Sequence, residues 1–439
     1  MDPRSEPSRS VSTTAAPAAG GSQVARRSRP RGGSLVVLRH AEFRTFWIGF
    51  GVAVLGFQIQ RVGLGFLAYD ITGSAFFLAL VFSGDSIPMI VLSPVGGVIG
   101  DRINRRLVLI VSRSCVAVLA LAFAGLTTAG TIETWHLLLF ALLTGICYAI
   151  DVPARQAMVH DLVPHDELIH AIALTATLRQ ASRIVGPAIG GLALLLVGVQ
   201  GAFALMAVGQ LIAVWSVLLL RLPHVPRLEQ TSVSADLLQG FRYIAGHRVI
   251  RTLMLVSASP ALTAMAYPAM SPVFAIDVLG RGGSAIGVML AAAGVGALAG
   301  SMLVTALPDR MAKPSIAMPA AILFGLIVSA FALSRYYPLS LLLLAGAGMS
   351  NAVYTIGVSS AIQRRSPPAM QARVMGVYQT TWELQVIAAL AVGALADAIG
   401  APAGLALAGA ISVGAVAALL LMRAGDETRA GHDVTHDQP

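Results

Sequence analysis

The chain has 439 residues, of which 56% are hydrophobic and 12% charged, whereas a soluble domain carries about 45–50% apolar and about 25% charged residues. That balance excludes an ordinary water-soluble globular protein and points to the bilayer as solvent. The formal charge of +9 sits between apolar runs rather than on a basic face, so it reports membrane orientation and no nucleic-acid partner.

Uncharged runs near the ~20 residues that a spanning helix needs predict an all-α membrane protein of twelve transmembrane helices. They fall at 45–69, 75–100, 107–127, 134–150, 169–196, 202–220, 252–276, 284–306, 315–334, 338–361, 371–396 and 403–422. A Pro/Ser/Gly/Arg-rich tail precedes them at 1–43, too polar to bury a core. The longest internal hydrophilic stretch, 222–248, divides the spans six and six. The expected units are thus a bundle over 44–221, a linker over 222–248, a second bundle over 249–423 and a disordered tail over 424–439.

The first span carries Arg61 on a stripe with Gln58, Gly65 and Tyr69, and the second carries Asp85 near its middle. After the second span comes Gly97-Val-Ile-Gly-Asp-Arg-Ile-Asn-Arg-Arg106. Its glycines allow close helix approach, and Asp101 suits a basic group or a helix N-terminus. The segment resembles the signature loop between helices two and three of the major facilitator superfamily, Gly-x-x-x-Asp-Arg-x-Gly-Arg-Arg. Asn104 departs from that pattern's second glycine. The resemblance implies two six-helix bundles related by a parallel pseudo-repeat, and a gate role for Gly97, Asp101, Arg102, Arg105 and Arg106. On the residues alone, Arg105 and Arg106 also serve as topogenic charges.

A second resemblance follows in Asp151-Val-Pro-Ala-Arg-Gln156, Asp161-Leu-Val-Pro164 and Arg183-Ile-Val-Gly-Pro-Ala-Ile-Gly-Gly191. These are similar to the bacterial branch containing enterobactin exporters and related drug:proton antiporters, and the likeness extends over residues 40–423. In the fifth span Pro187 removes a backbone hydrogen bond, and Gly186, Gly190 and Gly191 clear a smooth face. The Gly-Pro-x-x-Gly-Gly core is similar to the exporter motif of drug:proton antiporters; ordinary helix packing is the alternative, since Gly296 and Gly300 repeat the spacing without a Pro. The Arg that many antiporters carry in the fourth helix has no counterpart, because 137–150 is uncharged.

In the linker, Leu237, Leu238, Phe241, Ile244 and Ala245 share one face, the pattern of an interfacial amphipathic helix. A weak repeat links the halves: Asp101-Arg102 recurs as Asp309-Arg310, and Val163-Pro164 is echoed by Ser366-Pro367. In the eleventh span Glu383 lies one turn from Gln379, beside Trp382. Cys115 and Cys147 fall inside spans and read as small buried residues, not a disulfide. Asp70 and Asp277 read as solvated caps near the outer surface.

With the N-terminus cytoplasmic, 24 of the 30 Lys and Arg residues fall on the cytoplasmic side and two on the other. Both termini are therefore expected in the cytoplasm of a bacterial inner-membrane protein. An intramembrane charge costs about 2.5–3.5 kcal/mol on insertion scales, so each is a functional hypothesis. Arg61, Asp85, Arg179, Arg183 and Glu383, with Gln58, Gln379 and Trp382, form the expected substrate and proton-coupling set. Static buried ion pairs are the alternative. The only lysine, Lys313, excludes a phosphate-binding Gly-Lys loop and with it an ATP-driven pump. No nucleophile–base set is visible, so no enzyme is expected, and no cofactor or metal. The reading is a monomeric secondary transporter, foremost a proton-coupled exporter of small amphiphilic molecules. Uptake symport, lipid transport and a non-transporting sensor are the alternatives.

Overall fold

The computed structural model describes residues 34–89, 91–92, 104–164, 167–220, 233–307, 314–383 and 385–436. Gly97, Asp101, Arg102, Asp309 and Arg310 lie outside this set, as do the side chains of Arg183, Leu237, Leu238, Gln379, Trp382 and Glu383. Among the described residues there is no strand. The first half of the chain forms α1 (Ala41–Thr72), α2 (Ala75–Gly84), α3 (Arg105–Ala129), α4 (Thr134–Leu162) and α5 (Leu168–Leu219). The linker forms α6 (Val233–Gly246). The second half forms α7 (Arg248–Ala261), α8 (Ser284–Ala306), α9 (Pro314–Leu333), α10 (Tyr337–Arg365), α11 (Pro368–Glu383), α12 (Gln385–Ile399) and α13 (Ala401–His436).

Local chemistry accounts for the helix ends. Gly73 stops α1 in the left-handed region (φ 61°), its N–H bonded to the Tyr69 carbonyl. Ser74 then caps α2, accepting from the Phe77 N–H at 3.0 Å. Asn104 accepts from the Arg106 N–H at 3.0 Å. The departure from the signature loop is therefore the N-cap of α3. The fifth and sixth expected spans are the two arms of α5, which breaks at Gly198 (φ 69°, ψ −173°). The seventh expected span is irregular after Ala261, passing through a 3-10 turn at Ala264–Ala266 and a π turn at Phe274–Val278. Pro260, Pro268 and Pro272 withhold backbone donors across that stretch.

Nine helical segments among the described residues are long and apolar enough to cross a membrane, and Ala75–Met89 and Gln385–Ile399 are shorter apolar helices. Around the bundle, large apolar side chains such as Val118, Leu196, Trp215, Met302 and Leu342 are exposed. A bilayer is the environment in which such faces are stable. Glycine sets the closest packing. Gly296 and Gly300 of α8 lie against the backbone of Ala345 and Met349 in α10, and Gly348 answers against Ala293.

Two expectations are corrected, on the cysteines and on the end of the fourth span. Cys115 is exposed on the apolar surface of α3 and only Cys147 is partly buried; both are free thiols. The linker helix buries Gly240 and Ile244 but leaves Phe241 and Ala245 exposed. It packs on α11, where Gly240 meets the Arg373 carbonyl and Val377. The fourth span does not end at 150: α4 continues for three more turns, carrying Asp151 and Arg155 into the interior.

Candidate substrate and coupling site

Arg61 stands eleven residues before the end of α1, and Asp85 ten residues after the start of α2, where that helix hitches before resuming to Met89. At 1.5 Å per residue both sit about 15–17 Å from the shared end, near the middle of a ~30 Å core. Gly145 of α4 makes this arrangement possible: a Cβ there would lie 2.6 Å from the Asp85 carbonyl oxygen. The helix backbones touch at that point.

Arg61 Nη1 lies 4.0 Å from Asp85 Oδ2, with side-chain exposures of 44% and 20%. The guanidinium also lies over the Phe82 ring, 5.1 Å from its centroid, a cation–π contact. Ser86 Oγ donates to Asp85 Oδ1 at 3.1 Å. The pair is loose, held by one long ionic contact rather than a bidentate clamp. It faces a cleft between α1, α2 and α4 that Phe57, Gln60, Phe140 and Thr144 also line, with ≈ 10 Å³ of space for a water centre. That is about one water molecule. Gln60 is buried there, and its Nε2 has no hydrogen-bond partner. The cleft is large enough for one water and too small for an organic molecule.

A second charged group lies deeper in the first half. Arg113 Nε of α3 is 3.0 Å from Asp151 Oδ1, and Arg155 Nε is 3.1 Å from Asp151 Oδ2. All three are buried. Arg155 also sits over the Phe50 ring at 4.5 Å, and Gln210 Nε2 donates to the Tyr148 hydroxyl at 3.1 Å. Tyr148 in turn packs edge-on against Phe57 beside the first cleft, 5.2 Å between centroids. Asp151 thus ties α4 to α3 through Arg113, while Arg155, one turn further along α4, holds the same carboxylate from within the helix. Sequence reasoning missed this triad because it ended the fourth span at the first charge. The i, i+4 spacing of Asp151 and Arg155 within a continuing apolar periodicity was the signal available.

The remaining predicted residues are dispersed. Gln58 faces Gly186 of α5, not Asp85. Gly190 packs on Ile59 and Val62 of α1, and Gly191 meets the backbone of Gly287 in α8. The Gly-Pro motif around Pro187 therefore seats α5 on α1 and on the second half of the chain. Arg179 is exposed on α5. Arg105 grips Asp161 through Nη1 at 2.8 and 2.9 Å, and Arg106 Nη2 donates to the Leu218 carbonyl at 2.6 Å. Both arginines thus join helix ends within the first half. Among the described residues no group of three or more His, Cys, Asp or Glu side chains is placed to hold a metal.

The comparisons with known proteins agree with this architecture. The model of the transmembrane secretion effector family matches residues 32–436. The enterobactin exporter EntS of Shigella flexneri is 26% identical over 361 residues, covering 81% of this chain and 84% of its own. The EntS of Escherichia coli O1:K1 / APEC is 26% identical over 363 residues with the same coverage. Among solved structures, a bacterial homologue of the human lysosomal transporter Spinster, inward-facing and occupied, superposes with a TM-score of 0.69 at 14% identity, covering 87% of this chain and 96% of that one. The nucleoside transporter NupG gives 0.65 at 14% identity, covering 87% and 98%. These relatives are transporters rather than enzymes. An all-helical chain with apolar outer faces, paired charges in its interior and a family match along nearly its whole length is a membrane transporter: it belongs to the transmembrane secretion effector family of the major facilitator superfamily.

Proposed function

We propose that this protein is a proton-coupled exporter of small amphiphilic molecules of drug or siderophore type, working by alternating access in a bacterial inner membrane. Twelve spans in two pseudo-repeated bundles, with both termini cytoplasmic, are part of this reading; the placement of Lys and Arg supports the orientation.

The observation that carries it is the loose Arg61–Asp85 pair beside a water-sized cleft. A proton and the cationic end of a cargo compete for the one carboxylate, so loading either unloads the other. That exclusion is what antiport requires. Arg61, nearly half exposed, takes an anionic end, which makes a zwitterion or a mixed-charge amphiphile the cargo class. Asp151 is less suited to the exchange, because two guanidiniums at 3.0 and 3.1 Å already hold it. Glu383, with Gln379 and Trp382, is proposed as the second carboxylate site on the other half, and Arg179 and Arg183 as further cationic contacts. The signature-loop residues Gly97, Asp101 and Arg102 are proposed as the cytoplasmic gate. The exporter direction is supported by the likeness to EntS, named as an enterobactin exporter, and by the Gly186–Gly191 packing motif.

The test is efflux from loaded cells and proteoliposomes across a siderophore mixture and a drug panel, with the proton gradient intact and collapsed. Gradient-dependent efflux of at least one compound is expected. Asp85→Asn is expected to lower gradient-dependent efflux tenfold or more and to weaken cargo binding, leaving only the contact of the anionic end with Arg61. If neither Asp85→Asn nor Glu383→Gln alters gradient-driven transport, the coupling assignment fails. Unchanged accumulation across the whole panel sinks the exporter reading itself.

A further inference from the structure

Two carboxylates from the second half of the chain reach into the first half, at the end where α1 turns into α2. Asp397, two residues before the end of α12, accepts hydrogen bonds from Ser74 Oγ at 2.6 Å, the Ala75 N–H at 2.7 Å and the Phe76 N–H at 3.2 Å. Those amides open α2, have no acceptor inside the helix and lie at the positive end of its dipole. Asp277, in the irregular segment after α7, accepts a hydrogen bond from the Tyr69 hydroxyl in the last turn of α1. Beside these contacts the backbones touch. A Cβ on Gly393, one turn before Asp397, would lie 2.8 Å from the Ala75 carbonyl oxygen, and one on Gly191 would lie 2.6 Å from the Gly287 Cα.

We propose that Asp397 is a releasable latch, supplying from the other half of the chain the capping carboxylate of α2 and so holding this end of the transporter shut. The inference rests on the alternating-access reading and adds to it the device that closes the end opposite the signature loop. Tyr69 and Asp277 are its companion, tying α1 to the segment after α7. The chemistry fits a contact that must both hold and let go. A carboxylate on two helix-opening amides and a hydroxyl is a strong, directional interaction. Asp397 is nevertheless solvent-exposed and Ser74 only partly buried, so water replaces every bond when the halves part. The cap position is not abandoned either, because Ser74 itself accepts from the Phe77 N–H and keeps α2 capped in the open form. The buried Arg113–Asp151–Arg155 triad, lacking that access to water, is not a contact of this kind.

Distance measurement between spin labels at Ile71 and Ile399, both exposed near the junction, tests the latch in the full-length protein in lipid nanodiscs. Cys115 and Cys147 are first replaced by Ser. The parent protein is expected to show mainly the short-distance population. Asp397→Ala is expected to shift at least half of it to longer distances, and Tyr69→Phe to shift a smaller part. Ser74→Asp is the decisive variant: it caps α2 from its own chain and repels Asp397, so it opens the junction with Asp397 still present. A parent-like distribution in both Asp397→Ala and Ser74→Asp overturns the latch. If Asp397→Ala fails to fold, as judged by size-exclusion elution, Ser74→Asp alone decides. The readout needs no cargo, so opening in Ser74→Asp together with a failed efflux panel keeps the latch and overturns only the exporter reading.

Discussion

Asp85 and Asp151 are both carboxylates facing arginine inside an apolar bundle, yet their surroundings assign them different work. Asp151 Oδ2 accepts from Arg113 Nη2 at 3.3 Å and from Arg155 Nε at 3.1 Å, Arg113 Nε lies 3.0 Å from Oδ1, and all three residues are buried. Removing one partner of such a group leaves an uncompensated buried charge and costs about 3–5 kcal/mol. Arg113→Ala and Asp151→Ala are therefore expected to lower the thermal unfolding midpoint in detergent by several degrees. Arg155→Lys, which keeps the charge but loses the planar fork, is expected to lose less. Among the described residues Asp85 has one cation, at 4.0 Å, and a cleft beside it. Asp85→Asn is expected to change the unfolding free energy by no more than about 1 kcal/mol, as for loosely held pairs, and so to leave the midpoint near the parent's while removing proton coupling. A midpoint that falls as far for Asp85→Asn as for Asp151→Ala would make both groups static. The cationic partner of Asp85 was not identifiable from spacing, since Arg61 lies on another helix, and Gln58, which shares the predicted stripe with Arg61, turns to Gly186 instead.

At the scale of the helix, the positions where backbones touch carry more information than the helix ends do. Gly145 lets α4 meet α2 at the hitch that presents Asp85. Gly145→Ala forces the two apart and, as an overpacked contact, is expected to cost about 1–3 kcal/mol and to impair coupling by displacing Asp85. Gly125 of α3 has nothing within 4 Å of where its Cβ would stand. Gly125→Ala is expected to be neutral or to stabilise by up to about 1 kcal/mol, through helix propensity alone. Unfolding midpoints measured side by side check the pair, and equal effects would show that Gly145 has no special contact. The Gly186–Gly191 motif was legible as a packing face, but what it packs against was not. Gly186 and Gly190 serve α1, whereas Gly191 serves α8 across the two halves.

For the whole molecule, orientation and closure are separate questions. The sequence bias of basic residues predicts that the turn around Gly282 faces outward and the linker around Gly246 faces the cytoplasm. Neither glycine has an atom within 4 Å of its ideal Cβ, so each accepts a cysteine. In a background lacking Cys115 and Cys147, Gly282→Cys is expected to react with an impermeant thiol reagent in intact cells. Gly246→Cys is expected to react only after permeabilisation. The reverse pattern would invert the topology and exchange the sides of the signature loop and the Asp397 latch.

Run lengths and the scarcity of charge determined by themselves that this chain is a helical membrane protein and where most of its apolar segments lie. The bilayer demands about 20 apolar residues per crossing and penalises charge, and both requirements are local in sequence. The quoted motifs carried the family for the same reason, being short and contiguous. Only the tertiary structure decided that Arg61 meets Asp85, that Asp151 gathers Arg113 and Arg155, and that Asp397 caps a helix 322 residues earlier in the chain. Those pairings depend on which faces of distant helices come to touch. In an apolar solvent, close glycine packing and paired charges set that contact, whereas hydrophobic periodicity cannot.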